Sequence, residues 1–186
     1  MLARNPKILS KDKTALLVID IQEKILNVMH DSGMVVNNAL KLIKGFKSLN
    51  LPIFFTEQYP QGLGPTTKVL LEELEGFTPI QKMSFSCFGA ENLFQRLKDN
   101  KIEQVVVCGI ESHVCVAQTV MDLLANEFQV NVCADAVSSR KEKDYEYALE
   151  RMRDHKAEIT TSEAVLFELL NVCGTEDFKT ISKIVK

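Results

Sequence analysis

The stretch VVVCGIESHVCV, residues 105–116, decides how the chain is read. It opens as a run of β-branched residues, Val105 to Val107, crosses Gly109 and becomes helical in pattern. Apolar residues then fall at Ala117, Val120, Met121, Leu124 and Phe128, the spacing of one helix face. A buried strand that turns tightly into a helix sets Cys115 in that helix's first turn. There the unpaired backbone N–H groups and the positive end of the macrodipole favour an anion. The expectation is a thiol of lowered pKa, a better nucleophile at neutral pH.

Working outward, TALLVI at 14–19 is a continuous apolar run, the pattern of a strand buried on both faces. It stops at Asp20, at the end where open α/β sheets place their ligands. Asp20 is read either as a cap for the following helix or as part of a site. Residues 34–49 form an amphipathic helix with Val36, Ala39, Leu40, Ile43 and Phe46 on one stripe. Ile53 to Phe55 is a second buried strand, and Thr56 to Pro65, rich in Gly, Pro and polar groups, is a loop over the same edge. An extended piece at Phe77 to Gln81 leads to Lys82, a lysine crowded by aromatic and small residues in KMSFSCFG, so a partly buried charge is expected there.

Beyond the central stretch, Val130 to Ala134 is a strand ended by Asp135 to Val137. Ser139-x-x-Glu142 matches a capping box that starts a helix running to about Arg153. Ala157 to Thr160 is a last short strand, followed by two helices. The alternation of strands and helices gives an α/β domain with a mostly parallel sheet and helices on both faces.

The 186 residues fit a single domain spanning 1–186. A formal charge of −3 without a basic cluster argues against nucleic acid as the main partner, since phosphate binding needs concentrated positive charge. Residues 1–13 lack the apolar core of a secretory leader, and no run of about 18 apolar residues exists to span a membrane. The chain therefore reads as cytosolic. The five cysteines are scattered without CxxC or Cys/His ligand spacing, so neither a disulfide framework nor a zinc site is expected. Apart from Cys115 they are read as buried small hydrophobes.

Asp20, Lys82 and Cys115 thus stand at comparable places, and in a parallel sheet all strand C-termini share one edge. In LLVIDIQ (16–22), QKMSFSCF (81–88), GIESHVCV (109–116) and ADAVSSR (134–140), in that order, the chain resembles the isochorismatase-like cysteine hydrolase superfamily, which includes nicotinamidases, N-carbamoylsarcosine amidase and isochorismatase. The resemblance implies a three-layer Rossmann-like fold on a six-stranded sheet and an Asp20-Lys82-Cys115 triad. Cys115 would attack an electrophilic carbon to form a thioester. Asp20 would move protons, and Lys82 would favour the neighbouring anions. It also implies a cis peptide at Ile110–Glu111, an oxyanion hole from the N–H groups of Glu111 and Cys115, and assembly into a homo-oligomer.

Nicotinamidases of this superfamily carry metal-binding histidines after the second strand. TEQYPQGLG at 56–64 has none, and the chain holds only His30, His113 and His155, so no metal or other cofactor is expected. His113 reads as an ordinary polar group at a helix start. A small-molecule substrate of amide-like type is expected, with Gln22, Gln58, Tyr59, Phe85 and Phe88 as pocket candidates by position. A vinyl-ether hydrolase in which Asp20 protonates substrate, and an interaction protein without turnover, stand as alternatives.

Overall fold

Why TALLVI makes a strand is visible in where its side chains go. In the computed structural model, which describes residues 4–186, β1 (Thr14–Ile19) is buried along its whole length. Leu16 and Val18 point into one apolar layer, and Ala15, Leu17 and Ile19 into the other. A strand covered on both faces has no polar side, which is why its sequence runs apolar without alternation. Residues 1–3, part of the stretch read above for a leader, lie outside the described residues.

From β1 the chain runs through α1 (Glu23–Leu26) and α2 (Ser32–Ser48) to β2 (Ile53–Gln58). Next come α3 (Pro60–Leu63), α4 (Lys68–Glu73) and the edge strand β3 (Ile80–Lys82). After α5 (Leu93–Asp99) it returns to the centre as β4 (Gln104–Ile110), then α6 (Ala117–Ala125) and β5 (Gln129–Ser138). The chain closes with α7 (Glu142–Asp154), β6 (Glu158–Thr160), α8 (Ser162–Leu170) and α9 (Glu176–Ile184).

The sheet order is β3-β2-β1-β4-β5-β6, and every strand pair is parallel, so the expected mostly parallel sheet is parallel throughout. The strand order reverses between β1 and β4, the place where doubly wound sheets leave a crevice for ligands. On one face, Val35, Ala39, Leu42, Ile43 and Phe46 of α2 pack with Val165 and Leu169 of α8 and Ile181 of α9. On the other, Leu93 and Leu97 of α5, Val120 and Leu123 of α6, and Met152 of α7 pack together.

Gly109 is what lets the two central strands close at the crevice. It pairs with Ile19, its φ is +139°, and a Cβ built on it would stand 2.2 Å from the Ile19 carbonyl oxygen. Only glycine fits so close a backbone approach at that φ. The same residue marks a register shift between β4 and β5.

Several boundaries differ from the sequence reading. Thr56, Glu57 and Gln58 continue β2, because they find ladder partners in Ile80, Gln81 and Lys82 of β3. Asp135 to Ser138 likewise stay within β5, where Val137 and Ser138 pair with Gly109 and Ile110 past the register shift. The capping box is not formed: α7 begins at Glu142 after Lys141, without a side-chain cap. Ser139 instead meets His113, its Oγ lying 2.9 Å from His113 Nδ1. Of the thiols read as buried, Cys87, Cys108 and Cys133 are so, but Cys173 is exposed, in the loop between α8 and α9.

Candidate active site

At the end of β1 the backbone enters the left-handed region at Asp20, φ 52°, a conformation Asp tolerates better than most residues. Its carboxylate caps no helix. Oδ1 accepts from Thr56 Oγ1 at 2.7 Å, and Oδ2 accepts from Lys82 Nζ at 2.6 Å. The Lys82 side chain is 0% exposed and that of Asp20 4%. An ion pair so far from water needs its remaining donors satisfied. Lys82 Nζ also donates to Gln58 Oε1 at 2.8 Å and to the carbonyls of Phe85 at 2.9 Å and Ser84 at 3.2 Å. With three N–H groups shared among four acceptors, the ammonium has none left for a ligand.

Cys115 sits one strand away. After Ile110 the chain does not enter α6 directly; Ser112–Val116 form a single widened turn, in which Val116 N–H reaches back to the Glu111 carbonyl at 3.1 Å. Such π-type turns recur at functional sites. The Ile110–Glu111 peptide bond is cis.

The thiol is buried, and this overturns the expectation of a lowered pKa. Burial pushes Cys115 up to about 12, and the Asp20 carboxylate adds to the rise, while Lys82 pulls against it. Desolvation of the thiolate outweighs the helix-start effect, so at neutral pH the group rests as a thiol. Cys87 behind it, bonded through its N–H to Thr119 Oγ1 at 2.9 Å, is pushed up to about 11 by burial.

Asp20 and Cys115 face a cavity of about 80 Å³, with Gln58 and Glu111 as its other polar walls. Ile25, Leu63, Phe85, Ile110 and Val114 supply the apolar surface. Drug-sized ligands occupy roughly 300–1,000 Å³, so this space suits a compact molecule. A larger hollow of about 390 Å³ lies near Ser10, Asp12 and Leu169, but its described walls carry neither cysteine nor histidine.

Of the pocket candidates, Gln58 and Phe85 line the cavity, whereas Gln22, Tyr59 and Phe88 do not. Gln22 is fully buried as a clamp, donating to the carbonyls of Gln58 at 3.0 Å and Gly64 at 2.6 Å and accepting from Gln58 N–H at 2.7 Å. Tyr59 is exposed at the start of α3, where its backbone adopts φ 38°. Phe88 is exposed and stacks edge-on against Phe94, ring centres 5.2 Å apart. Lys82 also stays off the lining, behind Asp20.

Thr56, whose hydroxyl holds Asp20, is not singled out by the sequence, because the Gly- and Pro-rich run it opens has the pattern of a loop. Nor does the sequence mark the pairing of Glu111 with Arg140, Nε to Oε2 at 2.9 Å, two residues already inside the quoted motifs. Among the described residues no three His, Cys, Asp or Glu side chains converge as a metal site. No described helix is long and apolar enough to cross a membrane.

Comparison with known proteins places the chain by family and fold. The isochorismatase domain model matches residues 14–164. A relative from Danio rerio, isochorismatase domain-containing protein 2, is 40% identical over 178 residues, covering 95% of this chain and 89% of its own. The solved structure described as MAR1 ribonuclease from Caenorhabditis elegans has 37% identity and a TM-score of 0.90, covering 95% of this chain and 91% of that one. That of YcaC from Pseudomonas aeruginosa, described with hexane-2,5-diol and covalent acrylamide, has 25% identity and a TM-score of 0.89, covering 98% and 93%.

Proposed function

The chain belongs to the isochorismatase family, and from that premise we propose that it is a metal-independent cysteine hydrolase that cleaves a C–N bond in a small amide-like substrate. The observation that carries this reading is the Asp20 carboxylate, held from behind by the buried Lys82 ammonium, on the wall of a cavity that Cys115 also lines.

With the thiol neutral at rest, attack and proton transfer go together. Asp20 accepts the Cys115 proton as the Sγ–C bond forms and the carbonyl electron pair moves onto oxygen. The backbone N–H groups of Glu111 and Cys115 stabilise that oxyanion; losing one such donor typically costs about 10²–10³ in rate. Asp20 then protonates the leaving nitrogen, the C–N bond breaks and a thioester remains. Water, deprotonated by Asp20, hydrolyses it and restores the thiol. Lys82 acts as a positioning residue, fixing the Asp20 carboxylate rather than touching substrate. The covalent acrylamide described for the Pseudomonas aeruginosa relative is in keeping with a small amide reaching a nucleophile in this fold.

A panel of small amides, ureides and esters, assayed with the wild type and with Cys115→Ser, tests this. Hydrolysis of an amide by the wild type and its loss in the variant support it. A panel hydrolysed equally by both contradicts it.

The name of the Caenorhabditis elegans relative supports a second reading, ribonuclease activity. Against it stand the two carboxylates of the cavity and the commitment of Lys82 to protein acceptors, which leave little positive charge for a phosphodiester. Incubation with end-labelled RNA distinguishes the two: cleavage lost in Asp20→Asn would move the assignment to RNA.

The same proposal makes the chain a cytosolic homo-oligomer. Its described cysteines are all free thiols, and Met83, Phe85 and Phe88 are exposed apolar side chains on one short segment, a surface suited to a second copy. Light scattering on the purified protein tests assembly; a monomer at micromolar concentration contradicts it.

A further inference from the structure

Glu111 holds an acceptor that the chemistry above does not use. Its side chain is 8% exposed and the residue forms part of the cavity wall. Oε2 accepts from Arg140, from Nε at 2.9 Å and from the backbone N–H at 3.4 Å. Among the described residues nothing donates to Oε1. Oε1 is not sealed from solvent, so it is an acceptor that water satisfies until a ligand takes its place. Arg140, approaching from the solvent side with 58% of its side chain exposed, neutralises the group without saturating it.

The charges around the cavity then select the ligand. Asp20 and Glu111 are both wall residues, and Lys82 is turned away into protein acceptors. Each wall carboxylate already has its own counter-charge, Lys82 for Asp20 and Arg140 for Glu111, and neither cation is part of the cavity wall, so an anionic substrate would find no positive partner there. A neutral molecule with an N–H group would satisfy Glu111 Oε1 at little cost.

We infer that Glu111, through Oε1, is a specificity residue that accepts a hydrogen bond from a substrate N–H, so that the site takes small neutral carboxamides or ureides and rejects carboxylates and isosteric ketones. This rests on Cys115 being the nucleophile, as proposed above. A site built around a hydrogen-bond acceptor discriminates strongly against analogues that leave it unpaired.

Acrylamide and methyl vinyl ketone have the same shape, an NH2 in one replaced by CH3 in the other. Both alkylate thiols by conjugate addition: the sulfur bonds to the terminal alkene carbon, the alkene electron pair moves toward the carbonyl, and the thiol proton ends on the carbon next to it. Rates of modification at Cys115, resolved from other thiols by peptide mass mapping, are divided by the rates with glutathione. That division removes the intrinsic difference between the two reagents.

The expected result is a preference for acrylamide of about tenfold or more in the wild type, the size of a hydrogen bond to a charged group. Glu111→Leu abolishes the preference, and Glu111→Gln, which keeps the shape and a neutral acceptor, retains part of it. Equal normalised rates in the wild type overturn the inference even if the leucine variant does not fold, and so does a full preference surviving in Glu111→Leu. Failure of both reagents to modify Cys115 overturns the nucleophile assignment as well, a pattern distinct from modification without preference.

Discussion

Lys82 Nζ and Asp20 Oδ2 lie 2.6 Å apart at the ends of strands β3 and β1, with β2 between them and almost no water at either side chain. The pair is spanned by Gln58 and Thr56 of the intervening strand, each hydrogen-bonded to one partner. Removing one member of such a pair leaves the other charge buried and alone. Lys82→Met is therefore expected to lower stability by about 3–5 kcal/mol, seen in urea unfolding. Adding Asp20→Asn to it is expected to return part of that stability without restoring activity.

Thr56→Val tests the other side of the same carboxylate. Valine keeps the β-branched shape that suits a strand but leaves Oδ1 without its 2.7 Å donor. A hydrogen bond to a charged acceptor is worth about 1.5–3 kcal/mol. The variant is expected to fold with a lower urea midpoint and a reduced kcat, with KM changed less because Thr56 does not line the cavity.

The Cys115 thiol gives a pH signature. Since burial and Asp20 raise its pKa from 9.0 to about 12, alkylation by iodoacetamide at pH 7.5 should be slower than for a free thiol and still climbing above pH 9. Asp20→Asn removes a charge that raises the value and should shift the profile down. Lys82→Met removes one that lowers it and should shift the profile up. An apparent pKa below 8 in the wild type would contradict the resting thiol.

Stability should follow the same sign. In the folded state Cys87 and Cys115 hold their protons to about 11 and about 12, whereas unfolded thiols lose theirs near 9.0. The folded state then binds more protons above pH 9, so stability falls as pH rises through that window and is fully present below it. Urea midpoints measured from pH 7.5 to 10.5 check this, with Cys87→Ala expected to flatten the decline.

Much of this arrangement is legible in the sequence because it follows from burial on two faces. The run at 14–19 and the Val105–Val107 stretch have no polar side to offer, so they must be central strands, and Asp20 and Cys115 must follow their ends. What was not legible depends on side-chain direction and depth. Thr56 and Gln58 look like loop residues until β3 is there to pair with them. Tyr59 follows β2 and Phe88 follows β3 at the sheet edge that carries Asp20 and Lys82, yet the turn at Tyr59 and the packing of Phe88 on Phe94 carry them away from the cavity. The raised pKa of the Cys115 thiol is not legible because the sequence reveals a helix start but not the apolar walls around it. Ser139 looked like a cap, but His113 supplies a tertiary partner that local pattern cannot show.

The most direct measurement is intact-mass analysis of protein quenched during turnover of an amide or activated ester. The account predicts a mass increase equal to the acyl group, mapped to the peptide containing Cys115, released by hydroxylamine and absent in Cys115→Ala. Full hydrolytic activity in Cys115→Ala, with no adduct in the wild type, would contradict it and leave Asp20 acting alone as the acid.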